Sequence, residues 1–199
     1  MNELPIDILV NKKNLLPRNY CPKNLVVTDQ NENNFHKYKD PNLKPMVRAD
    51  IYPYIQLMIN DAKRDGVEFI IDSGYRSYNY QQVLLDNLIK EKGAEAYTLI
   101  ALPGSSEHQT GLAIDIAYYH NGVYDDNVKG EDKEAIWLAN NSYKYGFILR
   151  YPKDKENITG FQYEPWHFRF VGLKLAEKLY KTNMTLDEYY SKKINNTLV

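Results

Sequence analysis

Three features of the sequence predict an α+β fold: a single domain with an antiparallel central sheet and helices packed mainly on one side. Short apolar runs of strand length recur at 67–72, 112–118, 147–150 and 162–171. Helical patterns stand between them in groups, without the strict strand–helix alternation that builds a parallel sheet. The 199 residues contain no repeat and no long linker, and 43% hydrophobic with 26% charged residues is the balance of a globular domain.

Residues 1–45 hold Pro5, Pro17, Pro22, Pro41 and Pro45 among many Asn and Lys residues. This reads as an extended arm, 1–48, packed on a folded domain, 49–199. A helix over 50–64 is expected, with Asp50 as its cap and Pro53 in its first turn. Strand 67–72 follows, then a helix over 77–92 and a shorter one over 93–102 stopped by Pro103. Strand 112–118 leads through a polar stretch at 121–130 to a helix over 131–145. Strands at 147–150 and 162–171 complete the sheet. Thr185, Leu186, Asp187 and Glu188 then form a capping box that opens the last helix.

A net charge of −1 without a polybasic stretch argues against a nucleic-acid partner. Cys21 is the only cysteine, so no disulfide forms within the chain. No signal-peptide pattern opens the sequence and no apolar run spans a bilayer. A cytoplasmic location is therefore expected if the chain is full length, and a membrane-anchored or cell-wall-side one if an anchor was trimmed. In the cytoplasm the sequons at Asn157, Asn183 and Asn195 carry no glycan.

The chemistry concentrates in two short segments, SEHQTGLAID from Ser106 to Asp115 and EPWH from Glu164 to His167. Asp115 lies within the apolar strand after Gly111, where a carboxylate is costly unless a cation or several donors pair with it. Its same-face neighbours, Ala113 and Ala117, are small and leave room around it. His108 stands just upstream, in a polar, glycine-flanked loop able to fold over that strand. Of the other histidines, His36 and His120 lie in polar, turn-like stretches and read as solvated, whereas His167 opens an apolar, aromatic strand. Two imidazoles and a carboxylate with a fourth position left for water make a catalytic zinc site, one ion per chain. Glu164 is then the general base, provided that Pro165 bends the chain, because residues three apart on a straight strand face opposite ways. Arg76, at the strand-to-helix turn SGYRS, is the candidate donor to a developing oxyanion; its structural alternative is an ion pair with Asp72 or Glu68.

SGYRSYNYQ, PGSSEHQTGLAIDI, YGFILRYP and TGFQYEPWHFRFVG, in this order, resemble the zinc D,D-carboxypeptidases of the VanY type and their bifunctional VanXY relatives. The similarity runs from about Leu9 to Tyr189. It implies a hedgehog/D,D-peptidase-like fold, zinc held by His108, Asp115 and His167, and Glu164 as catalytic base. It further implies Arg76 as the residue that stabilises the tetrahedral intermediate, and Gln81 and Ser106 as holders of the substrate's C-terminal D-residue. Ser73 matches the VanY-like blocks, and Trp166 is a further candidate to flank substrate. The implied activity is removal of the terminal D-Ala from D-Ala-D-Ala or from a peptidoglycan precursor pentapeptide, in cell-wall metabolism or glycopeptide resistance. The implied partner is thus a small peptide. Two alternatives stand beside it: an L,D-carboxypeptidase or peptidoglycan endopeptidase on the same scaffold, and a zinc-containing binding module without catalysis. Dipeptide and pentapeptide substrates are not ranked by the residues, and neither is the oligomeric state.

Overall fold

The computed structural model describes residues 3–28 and 44–197, and the side chains only as far as Ile194. His36 and Pro41 lie outside the described residues. The chain order is β1 (Leu25–Val27), β2 (Met46–Arg48), α1 (Tyr52–Arg64), β3 (Ile70–Ser73), α2 (Tyr78–Lys92), α3 (Ala96–Leu99), β4 (Ala113–His120), β5 (Val123–Asp125), α4 (Lys133–Asn141), β6 (Phe147–Leu149), α5 (Glu156–Thr159), β7 (His167–Phe170), α6 (Leu173–Thr182) and α7 (Leu186–Thr197). The fold is α+β with an antiparallel sheet of order β3-β4-β7-β6, to which β5 adds by pairing with β4. β1 and β2 form a separate antiparallel pair.

Strand alternation gives the sheet two different faces. Ile114, Ile116, Phe168 and Phe170 point to one side and join Ile55, Met58 and Ala62 of α1 and Ala135 and Leu138 of α4 in the main core. Asp115, His167 and Arg169 therefore point to the other. A smaller cluster seats Ala176 and Leu179 of α6 and Leu186 of α7 against Ile148 of β6. Among the described residues no helix is long and apolar enough to cross a membrane.

Several elements follow local signals. α2 opens on Ser77, whose side chain accepts from the Tyr80 amide at 3.1 Å. α7 opens on a capping box: Glu188 accepts from the Thr185 amide at 2.8 Å, and Thr185 Oγ1 accepts from the Glu188 amide at 3.1 Å. Others depart from the sequence reading. Asp50 does not cap α1; it accepts from the Arg48 guanidinium, and α1 starts after Ile51 with Pro53 in its first turn. The helix expected over 93–102 is a 3₁₀ turn at Gly93–Glu95 followed by α3, because Ile100 is already extended and the Ala101 carbonyl is taken by Gln81 Nε2. The helix expected over 131–145 divides into α4 and a 3₁₀ turn at Ser142–Tyr145. The polar stretch 121–130 contains β5, reached by a two-residue turn in which Asn121 (φ 51°) and Gly122 (φ 79°) both take the left-handed conformation of a tight hairpin. His120 is not in the turn: it ends β4 and stacks on Tyr118.

Candidate active site

β4 and β7 pair in a register that sets Asp115 directly opposite His167, so their side chains rise together on the same face. His167 Nδ1 lies 2.8 Å from Asp115 Oδ1. His108 comes from the 3₁₀ turn Glu107–Thr110 that runs into β4, a turn closed by Gly111 in the left-handed conformation (φ 68°). A Cβ at Gly111 would stand 3.2 Å from the side chains of Arg48 and Leu25, so conformation and close approach both call for glycine. The turn brings His108 Nε2 to 3.2 Å from Asp115 Oδ2. Its other nitrogen, Nδ1, is 2.6 Å from the Gly74 carbonyl, to which it donates. That bond fixes the tautomer with the Nε2 lone pair turned into the site. Gly74 is itself pinned, because a Cβ there would collide with the Met46 carbonyl at 2.1 Å.

The ligand atoms of His108, Asp115 and His167 all lie within 4.8 Å of one another, the only such group among the described residues. His108 Nε2 is buried without a hydrogen-bond partner. An orphaned lone pair beside a carboxylate and a second imidazole fits a cation, and the donor set is that of zinc with one position left over.

The bend required of Glu164 is present. The His167 amide donates to the Glu164 carbonyl at 3.1 Å, closing a β-turn with Pro165 at its second position. The strand expected over 162–171 accordingly begins only at His167. The turn carries the Glu164 carboxylate to 3.9 Å from His167 Nδ1. Arg76 lines the same cavity, its amide donating to the His108 carbonyl and its guanidinium 3.4 Å from Asp115 Oδ2 and 3.1 Å from Gln81 Oε1. Of the two alternative partners, Asp72 and Glu68, Asp72 accepts from Tyr124. Gln81 is buried, with Nε2 donating to the Ala101 carbonyl at 2.8 Å. A cavity of about 180 Å³ opens over these groups, and Ser106, Tyr151 and Trp166 also line it. Ser73 stands beside Asp115 across β3 and β4 but does not line the cavity.

Burial and neighbours divide the titratable groups. Burial lowers His108 to about 4, with Arg76 adding to the effect and Asp115 opposing it. At His167 burial acts in the same sense, but the hydrogen bond to Asp115 and the nearby Glu107 outweigh it and push the value up to about 9. Burial opposes ionisation of Asp115, yet the two imidazoles hold its carboxyl well below the usual range. Burial lifts Glu164 to about 7; His167 and Arg76 pull it down, while Asp115 and Glu107 push it up. A carboxyl near neutrality is matched to proton transfer.

Sequence reasoning passed over Glu107, Arg150 and Arg169, which form a buried cluster behind His167. Glu107 Oε1 accepts from Arg150 Nε and Arg169 Nη1, each at 2.8 Å. The available signal was charge in apolar company: Arg150 follows Phe147-Ile148-Leu149, and Arg169 lies between Phe168 and Phe170. Tyr151, stacked on His167 at 5.0 Å, was also missed.

Residues 44–173 match the family model for VanY, D-alanyl-D-alanine carboxypeptidase. YodJ of Bacillus subtilis (strain 168), provisionally named as a carboxypeptidase, is 43% identical over 185 residues, covering 92% of this chain and 66% of YodJ. The chain thus spans about two thirds of that relative's length. The solved structure of the LdcB LD-carboxypeptidase is 43% identical with a TM-score of 0.82, covering 92% of this chain and 85% of that one. Two VanY structures are each 37% identical with a TM-score of 0.73. One is a mutant from a VanB-type vancomycin-resistance cassette in complex with Zn(II), covering 93% of this chain and 98% of that one. The other is VanYB in complex with D-alanine-D-alanine, covering 94% and 97%.

Proposed function

The chain belongs to the VanY D-alanyl-D-alanine carboxypeptidase family, and from that premise we propose that it is a zinc-dependent D,D-carboxypeptidase or dipeptidase releasing the terminal D-Ala of D-Ala-D-Ala or of a peptidoglycan precursor pentapeptide. The observation that carries the reading is the convergence of His108, Asp115 and His167 with Glu164 and Arg76 in one cavity. His108, Asp115 and His167 hold the zinc, which when bound polarises the scissile carbonyl and acidifies the attacking water. Glu164 takes the proton from that water and passes it to the leaving amine. Arg76, kept in place by Gln81, faces the oxygen on which negative charge grows. Ser106 and Gln81 hold the C-terminal residue of the peptide, and Trp166 borders it. A base and an oxyanion donor beside the ligand set speak against a module that only binds.

A second reading, L,D-carboxypeptidase, is favoured by one observation: the likeness to LdcB exceeds that to VanYB in both identity and TM-score. The two readings differ in the configuration of the residue before the scissile bond. The test is to incubate zinc-loaded protein with D-Ala-D-Ala, a muramyl pentapeptide ending in D-Ala-D-Ala and a muramyl tetrapeptide ending in an L,D bond, and to measure D-Ala from each. Release from dipeptide or pentapeptide is expected; release from the tetrapeptide alone would replace the D,D reading by the L,D one.

A further inference from the structure

His167 has a second nitrogen, and its surroundings are unusual. Nε2 is buried, without a hydrogen-bond partner, and 3.7 Å from Glu107 Oε2. Glu107 Oε2 is likewise buried and without a partner. Two orphaned polar atoms in a dry interior would each cost about 1–3 kcal/mol. One can be a donor and the other is an acceptor, and a shift on the order of 1 Å would bring them into hydrogen-bond range. With Nδ1 turned to Asp115, the imidazole of His167 has to carry its proton on Nε2 whenever Nδ1 offers a lone pair. Glu107 is the acceptor waiting for it.

The carboxylate has little freedom to be elsewhere. Its other oxygen is gripped by Arg150 and Arg169, both fully buried. Arg169 Nη2 in turn donates to the carbonyls of Ile6 and Ile8 at 3.0 and 2.7 Å. Arg150 Nη1 pairs with Asp187 of α7 at 2.6 Å, and Asp187 accepts from Asn11 Nδ2 at 2.8 Å. The N-terminal segment thus closes both arginine arms. It also braces the His108 turn, since Gln109 Nε2 donates to the carbonyls of Pro17 and Tyr20.

We propose that Glu107 is a positioning residue for His167, accepting its Nε2–H so that Nδ1 is presented to the metal, and that the N-terminal arm fixes Glu107 through Arg150 and Arg169. The inference rests on the zinc reading above. A carboxylate behind a ligating imidazole orients the ring and raises its basicity, and losing such a partner typically weakens metal binding about 10–100-fold.

The test measures zinc affinity of the full chain by competition with a chromophoric chelator, beside the melting temperature of the chelator-treated protein and the visible spectrum of the cobalt-loaded one. Glu107→Gln is expected to weaken zinc binding about 10–100-fold and to change the cobalt spectrum. Asn11→Ala, remote from the ligands, is expected to weaken it less, in the same direction. In zinc-loaded wild type, nitrogen NMR of the histidines is expected to show His167 Nε2 protonated and slow to exchange, a readout that needs no variant to fold. Variants that lose melting temperature yet bind zinc as tightly as wild type would reduce Glu107 to a structural residue. So would a proton on Nδ1 of His167 in the loaded protein. A wild type that takes up no zinc would instead overturn the function proposed above, and the role of Glu107 with it.

Discussion

Two clusters of buried charge share one face of the sheet, and they differ in where their partners come from. Around Glu107 the protein supplies most of them: two arginines on one carboxylate oxygen, with backbone carbonyls and Asp187 behind those arginines, and only Oε2, turned toward His167, left over on the carboxylate. Around Asp115 the partners are two imidazoles and a more distant arginine, which face a cavity. His108 Nε2 is left without a hydrogen-bond partner, and a cavity opens above it. The ingredients are alike, charged and imidazole groups carried on the 3₁₀ turn Glu107–Thr110 and on the strands and strand ends beside it. The fuller set of partners makes a structural brace, and the emptier one, opening on a cavity, makes a site that gains most from a ligand.

The largest expected effect falls on the closed cluster. Arg169→Met removes one of the two cations gripping Glu107 and should destabilise chelator-treated protein by about 3–5 kcal/mol, read from urea unfolding, because a half-compensated charge stays buried. His108→Ala on the open side should cost less stability than Arg169→Met while abolishing zinc uptake. The reverse order would mean that the open triad is the brace.

Next comes Glu164, which belongs to the open cluster but is not one of the three proposed ligands. Glu164→Gln keeps size and hydrogen-bonding capacity but cannot take a proton from water, so turnover should fall roughly 100-fold or more with zinc content unchanged. Metal lost together with activity would make Glu164 a ligand.

The open cluster was the more legible of the two in the sequence. A carboxylate flanked by alanines in an apolar strand and a histidine opening another announce themselves locally, and the β4–β7 register then sets Asp115 against His167. Pro165 likewise announced the turn that brings Glu164 round. Glu107 was invisible because its meaning depends on arginines from two other segments, reached only when β6 and β7 pair. Asp50 misled for the same reason: its capping propensity is real, but Arg48 claims the side chain first. The β5 hairpin was different, since Asn121-Gly122 is a strong turn signal in plain view and only its flanking strand is short.

Arg76 tests how the open site treats its cation. It donates to Gln81 at 3.1 Å and stands 3.4 Å from Asp115 Oδ2, beside the cavity. Arg76→Lys should lower turnover about 10-fold to 100-fold, because an ammonium cannot reproduce the planar fork. The loss should fall in kcat, since the charge it meets appears in the transition state. A loss confined to KM would make Arg76 a grip on the substrate's carboxylate. Unchanged kinetics in Arg76→Ala would make it structural.

The smallest effect, on the order of 1 kcal/mol per pH unit, separates the two histidines of the open site in chelator-treated protein. His167 is raised to about 9, so its contribution to stability is complete below the ordinary histidine value of about 6.5 and is lost as pH rises through 9. His108 is depressed to about 4, so it is favoured neutral, and its contribution present above 6.5 is lost as pH falls toward 4. Glu164, raised to about 7, gains stability as pH falls from 7 toward 4.5 and so offsets the His108 limb; unfolding free energy should therefore be nearly level between about 4.5 and 6.5 and fall above it along the His167 limb. Glu107, held well below the usual carboxylate range by Arg150 and Arg169 against the cost of burial, steepens the acid side only below about 4.5. Urea unfolding across pH 4 to 9 checks this, with His167→Gln expected to flatten the alkaline limb. A profile that climbs steadily to pH 9 would show that His167 is neutral in the folded protein and that Asp115 does not hold its proton.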